Sequence, residues 1–126
     1  MSTLNVGTIK STGSSPPVFQ NSSGTGMGNL VKVWCRYHTS GTTAIDDSYG
    51  VSSVTDNGST YSYVNFSTDF ANANYAVSCA TQQDSGGGAR FIMPYTTATD
   101  KVQLETRNYS NGTMDASHIS VLVCGD

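Results

Sequence analysis

From residue 30 to the end of this chain, apolar residues recur at every second position, in short runs bounded by turn formers. That period belongs to the β-strand, whose successive side chains leave opposite faces of the pleat. In residues 30–38, Val31, Val33, Cys35 and Tyr37 share one face, and Lys32, Trp34 and Arg36 share the other. Further strands are expected over residues 48–55, 60–68, 74–82, 90–95, 101–107 and 118–124. In the third, Tyr61, Tyr63 and Asn65 alternate with Ser62, Val64 and Phe66; in the fourth, Tyr75, Val77 and Cys79 share a face. Val102 and Leu104, then Ile119, Val121 and Val123, are expected to point inward. Asp56-Asn57-Gly58-Ser59 and Asn111-Gly112 read as tight turns, and Gly86-Gly87-Gly88 as a flexible one. Pro94 has no amide proton to give to a ladder, so its strand belongs at an edge. No stretch carries the period of an amphipathic helix. Seven short strands at regular spacing predict an all-β, antiparallel β-sandwich or jelly-roll-like domain over residues 30–126.

Residues 1–29 differ. Leu4, Val6 and Ile9 are isolated apolar points among Ser, Thr, Gly and Asn. Ser11-Thr12-Gly13-Ser14-Ser15-Pro16-Pro17 suits neither a helix nor a central strand. Val18 and Phe19 follow, then another polar, Gly-rich stretch. This segment cannot build a core of its own. It is expected to be an extended arm that docks Leu4, Val6, Ile9, Val18 and Phe19 on neighbouring subunits or a larger particle.

The chain has 126 residues, a net charge of -3 and only 12% charged residues. That excludes the basic footprint of a nucleic-acid-binding protein. No apolar run approaches the roughly 18 residues that span a bilayer, so no membrane insertion is expected. The first residues lack the charged and apolar regions of a secretory signal, so export by that route is not expected. Leu, Ile, Val and Phe supply 23 of the 126 residues, a thin core for a chain this long. Seven Tyr, four Phe and one Trp add buryable area and, with the low net charge, argue against disorder. Burial between subunits would complete such a core.

The residue types that carry chemistry are present but not in working patterns. Cys35, Cys79 and Cys124 form no short-spaced pair; they read as buried thiols, with one disulfide plus a free cysteine as the alternative. The acids fall mostly in turns, without the facing carboxylate pair of a glycosidase. No Gly-x-Ser-x-Gly elbow accompanies the serines. The glycine triplet lacks the lysine and following helix of a phosphate loop. Asp46-Asp47 offers clustered oxygens for calcium without EF-hand spacing. His38 and His118 with Asp115 make a metal trio on paper, against a reading of both histidines as surface or interface residues. No catalytic residue, metal or cofactor is assigned, and the chain is not expected to be an enzyme. Trp34, Tyr61 and Tyr63 are candidate glycan contacts, since aromatic rings stack on sugars. The competing reading has this second face covered by another subunit.

The phrases Ser2-Thr3-Leu4-Asn5-Val6-Gly7-Thr8-Ile9 and Pro17-Val18-Phe19-Gln20-Asn21-Ser22-Ser23-Gly24 open the chain. Later come Val51-Ser52-Ser53-Val54-Thr55-Asp56-Asn57-Gly58, Tyr63-Val64-Asn65-Phe66-Ser67-Thr68, Ala73-Asn74-Tyr75-Ala76-Val77 and Ile119-Ser120-Val121-Leu122-Val123-Cys124-Gly125-Asp126. Together they resemble the small tail-fibre-like structural proteins of marine bacteriophages, including cyanophages. The resemblance implies a virion protein that forms intertwined homotrimers, assembled in the host cytoplasm and mounted on the capsid or tail by its N-terminal segment. The chain departs from long tail fibres in having no shaft of repeats, which leaves a short fibre, a tip or a capsid decoration. The alternative function is a receptor-binding module for a host-surface glycan.

Overall fold

The computed structural model describes residues 6–10, 23, 31–82 and 90–125. Leu4, Val18, Phe19 and the Gly86-Gly87-Gly88 turn lie outside the described residues. The chain divides into two units, Met1–Leu30 and Val31–Asp126. In the first, residues 6–10 adopt neither helix nor strand, and Val6 and Ile9 are exposed.

The second unit is all-β, with no helix among its described residues. Its eight strands are β1 (Val33–His38), β2 (Ala44–Tyr49), β3 (Val51–Asn57), β4 (Tyr61–Phe66), β5 (Ala76–Thr81), β6 (Arg90–Thr97), β7 (Lys101–Asn108) and β8 (Ile119–Cys124). They form two four-stranded sheets, ordered β2-β1-β8-β5 and β3-β4-β7-β6. Every ladder is antiparallel. Between the sheets lies the core, fed by alternate residues of the central strands: Val33, Cys35 and Tyr37; Val64 and Phe66; Val102 and Leu104; Ile119, Val121 and Val123. Val102, Leu104, Ile119, Val121 and Val123 are inward as expected, whereas Val31, on the expected face of Val33, is exposed. The strand carrying Pro94 is β6, at the edge of the second sheet.

The strand expected over residues 48–55 is in fact two strands in different sheets. Gly50 divides them, with φ at +72°, a backbone conformation closed to most side chains. A Cβ at Gly50 would stand 2.5 Å from the carbonyl oxygen of Lys32. The chain therefore turns the sandwich corner at a glycine pressed against the start of β1. Upstream, Ala44-Ile45-Asp46-Asp47 lies outside every expected strand, yet it forms most of β2. A bulge explains the mismatch: Arg36 pairs with Asp47 and Tyr37 with Ile45, leaving Asp46 as the extra residue.

Among the polar contacts that tie the sheets together, two come from tyrosine hydroxyls. The hydroxyl of buried Tyr37 on β1 lies 2.7 Å from the hydroxyl of buried Ser62 on β4. In the β4–β5 connection, Phe70 and Tyr75 pack with Phe66, the three ring centroids 4.7–5.7 Å apart. The Tyr75 hydroxyl lies 2.9 Å from the Ala98 carbonyl and 2.7 Å from that of Lys101, sharing its proton between them across the sandwich. Near the far end, Thr39 Oγ1 accepts the amide of Ala116 at 3.0 Å, and the Thr39 amide donates to the Ala116 carbonyl at 2.9 Å.

Two predictions follow from this architecture. Gly58 also has positive φ, at +77°, but a Cβ there would meet nothing within 4 Å. Gly58→Ala should cost about 1–2 kcal/mol, the ordinary penalty of a left-handed alanine. Gly50→Ala should cost more, because it adds the collision with Lys32; urea melts of the two variants measure the difference.

The second prediction concerns alkali. Desolvation, reinforced by the charges of Asp46 and Asp47, pushes the Cys35 thiol up to about 12 from an ordinary 9.0. Burial also holds the Tyr37 phenol well above its ordinary range, partly offset by its bond to Ser62. The unfolded chain ionises these groups first, so stability is complete below about pH 9 and falls as pH rises toward 12. Urea midpoints taken across that range should fall, and Cys35→Ala should make the decline shallower.

Candidate functional site

The outward positions of β4 and β7 alternate with core residues, so each sheet presents a second face. On the second sheet, Tyr61 and Tyr63 stand on β4 opposite Glu105 and Gln103 of β7. Beyond β7, the outward side of edge strand β6 carries Phe91 and Met93, paired with Arg107 and Glu105. A bulge between Pro94 and Thr96 leaves Tyr95 unpaired in the ladder and brings its ring to 5.0 Å from that of Tyr61. Phe91, Met93 and Tyr95 are all exposed. The result is an aromatic strip laid across three strands.

Glu105, the chain's single glutamate, sits within this strip. It points away from the core, yet its side chain is only 7% exposed. Arg107 compensates the charge: its Nε donates to Glu105 Oε1 at 2.8 Å, and its Nη1 donates to the Asn111 carbonyl at 2.9 Å. The hydrogen bond to Glu105 raises the Arg107 guanidinium above its ordinary value. The Tyr61 phenol is also raised, first by desolvation and then by the charge of Glu105 and its neighbour Tyr95. Polar groups border the rings. Asn57 Nδ2 donates to the Tyr63 hydroxyl at 3.4 Å, and Thr96 Oγ1 donates to Gln103 Oε1 at 2.9 Å.

The first sheet presents a different face. Trp34 on β1 pairs with Tyr49 of β2 and Leu122 of β8, and Leu122 pairs in turn with Ser78 of β5. Trp34 is 37% exposed and Leu122 40%. Both line a shallow trough of about 400 Å³, together with Arg36, Ser78, Ala80 and Ser120. Trp34 and the Tyr61–Tyr63 pair thus belong to different sheets. The three candidate glycan contacts do not converge, and any aromatic sugar platform is Tyr61 with Tyr95 rather than with Trp34.

The two histidines do meet, but on Asp46 rather than Asp115. His38 Nδ1 is 3.2 Å from Asp46 Oδ1, and His118 Nε2 is 3.9 Å from Oδ2. The bulge that displaces Asp46 in β2 aims its carboxylate at this corner, and Arg36 Nε claims the same Oδ2 at 3.5 Å. Among the described residues, no group of three or more His, Cys, Asp or Glu is placed to hold a metal ion. All three cysteines are free thiols, Cys35 buried and the other two half-buried. No helix of the described residues is long and apolar enough to cross a membrane.

Sequence reasoning missed Phe91, Met93, Tyr95, Glu105 and Arg107. The alternation in residues 101–107 marks Glu105 and Arg107 as outward. Nothing in Phe91-Ile92-Met93-Pro94-Tyr95 tells which apolar set faces out. Comparison with protein-family models, curated proteins and solved structures gives no match in any of the three.

Proposed function

We propose that this chain is a non-catalytic structural protein of a bacteriophage virion, a homotrimeric short tail-fibre-like or decoration component attached to the particle by its N-terminal arm. The observation that carries this reading is the placement of large apolar side chains. Trp34, Tyr49 and Leu122 gather on one outer face, and Phe91, Met93 and Tyr95 on the other. Contiguous exposed patches of this kind mark interaction surfaces on soluble proteins. Around a thin core they favour a sandwich that completes its burial against other chains. The phage assignment rests on the resemblance of the chain's phrases to small marine phage structural proteins, and the arm's role on its isolated apolar points, Leu4, Val6, Ile9, Val18 and Phe19.

The test has two parts. Light scattering after size exclusion should give a mass near three chains. Deleting residues 1–29 should leave a folded sandwich that no longer joins the particle. Normal incorporation of the truncated protein would remove the arm from the mechanism, and a monomeric full-length chain would remove the trimer.

A second reading, recognition of a host-surface glycan, is favoured by one observation. The Tyr61 and Tyr95 rings lie 5.0 Å apart, tilted by 52°, near the amide and hydroxyl groups of Asn57, Gln103 and Thr96. Sugars present an apolar ring face edged with hydroxyls, and this strip offers the matching surface. Binding of the purified protein to host envelope polysaccharide should weaken about tenfold in Tyr95→Ala, as expected for loss of a central aromatic anchor. Unchanged binding in that variant, or none by the parent protein, rejects the strip as a sugar site.

A further inference from the structure

We infer that Asn57 is a self-modifying position: the backbone nitrogen of Gly58 displaces its side-chain amide, while the identical dipeptide Asn111-Gly112 is protected by Asn108. This stands independently of the virion and glycan proposals.

The chain holds two Asn-Gly pairs, Asn57-Gly58 and Asn111-Gly112, both at turns. Asn before Gly is open to an intramolecular reaction, because glycine puts no side chain in the way and leaves the backbone free to rotate. The glycine nitrogen, having lost its proton to solvent base, attacks the side-chain carbonyl carbon of the asparagine. A C–N bond forms, the bond to Nδ2 breaks, and Nδ2 leaves as ammonia, its third proton coming from water. The product is a five-membered succinimide. Water then opens the ring at one of its two carbonyls. One cleavage leaves aspartate; the other leaves isoaspartate, whose main chain runs through the former side-chain carbon.

The two pairs differ in how their peptide group is held. At Asn111-Gly112 it is bonded at both ends: the Gly112 N–H donates to Asn108 Oδ1 at 2.8 Å, and the Asn111 carbonyl accepts Arg107 Nη1 at 2.9 Å. A Cβ on Gly112 would stand 3.0 Å from Asn108 Nδ2, so the Asn108 side chain lies over the glycine. Ring closure at Asn111 must first break the bond to Asn108, which occupies the very proton that has to leave.

At Asn57-Gly58 no such hold exists. Asn57 is the last residue of β3, paired with Tyr61, and both Asn57 and Gly58 are exposed. A Cβ on Gly58 would meet nothing within 4 Å, and among the described residues no carbonyl or side chain accepts the Gly58 amide. Asn57 Nδ2 reaches the Tyr63 hydroxyl at 3.4 Å, too long to hold it firmly. Each conversion adds a negative charge to the formal -3, next to Asp56 and Tyr63. Isoaspartate also lengthens the main chain at the Asn57–Tyr61 pair, loosening the hairpin that carries Tyr61 and Tyr63.

The full-length chain is incubated in mildly alkaline buffer, folded and in urea, and its peptides are followed by mass spectrometry with fragmentation that separates aspartate from isoaspartate. In the folded chain, position 57 should convert roughly tenfold or more faster than position 111, the factor that one hydrogen bond adds to a barrier. In urea the two should convert alike. Asn108→Ala, checked for folding by circular dichroism, should speed conversion at 111 by about the same factor and leave 57 unchanged. No conversion at 57, or conversion at 111 as fast in the folded chain, overturns the assignment. A contrast that persists in urea overturns it too, since local sequence and not the fold then sets the rates. An unchanged rate at 111 in folded Asn108→Ala overturns the protecting role of Asn108.

Discussion

The hydrogen bond between Tyr37 and Ser62 sets the frame on which the sandwich depends. A sandwich of two sheets can slide, because apolar packing between them is non-directional. A phenol that reaches through the core to a buried hydroxyl on the opposite sheet removes that freedom, since an unpaired buried hydroxyl costs more than a paired one returns. Tyr37 is wholly buried and Ser62 nearly so. With β1 thus held on β4, the ladders carry the alignment outward: β1 to β8 and β2, and β4 to β7 and β3. Tyr75 repeats the device nearer one end, its hydroxyl held by the carbonyls of Ala98 and Lys101.

From that frame the outer faces follow. Once Val33, Cys35 and Tyr37 face inward, Trp34 and Arg36 must face out, and the ladder sets Leu122 and Ser120 beside them. Once Val64 and Leu104 face inward, Tyr61 and Glu105 become neighbours on the far side. Glu105 can lie so deep among the rings only because Arg107, two residues on along the same strand, reaches back to it. The bulges refine what the ladders impose. One lets Tyr95 meet Tyr61, and the other turns Asp46 toward Arg36 and the two histidines.

Much of the fold was legible because the central strands are amphipathic. Val102 and Leu104, and Ile119, Val121 and Val123, alternate with polar residues, and their inward direction needs no tertiary information. Legibility fails where period two breaks or loses contrast. The Ala44–Tyr49 strand carries two acids around a bulge, so its apolar alternation is lost and only pairing with β1 makes it a strand. Gly50 sits in an otherwise continuous strand pattern, and its positive φ becomes visible only against Lys32. The site was less legible still. Tyr61 and Tyr63 were marked as outward, but the strip also needs Tyr95, whose position depends on a bulge at Pro94–Thr96. Trp34 was rightly placed opposite Val33 and Cys35, yet which sheet would carry it is a matter of long-range pairing.

The two faces share one feature: large exposed apolar side chains stand beside polar pairs that the chain makes for itself. On the second sheet, the carboxylate, the guanidinium and several amides and hydroxyls already bond one another, while Phe91, Met93 and Tyr95 stay exposed beside them. On the first sheet, Arg36 bonds Asp46 and Gln82 beside the exposed Trp34 and Leu122. Trp34 and Leu122 line a trough with Arg36 and the small side chains Ser78, Ala80 and Ser120. In a chain short of aliphatic residues, the one tryptophan stands outside the core. Each face thus leaves large apolar side chains exposed beside polar groups that the chain pairs for itself, around a core poor in aliphatic residues.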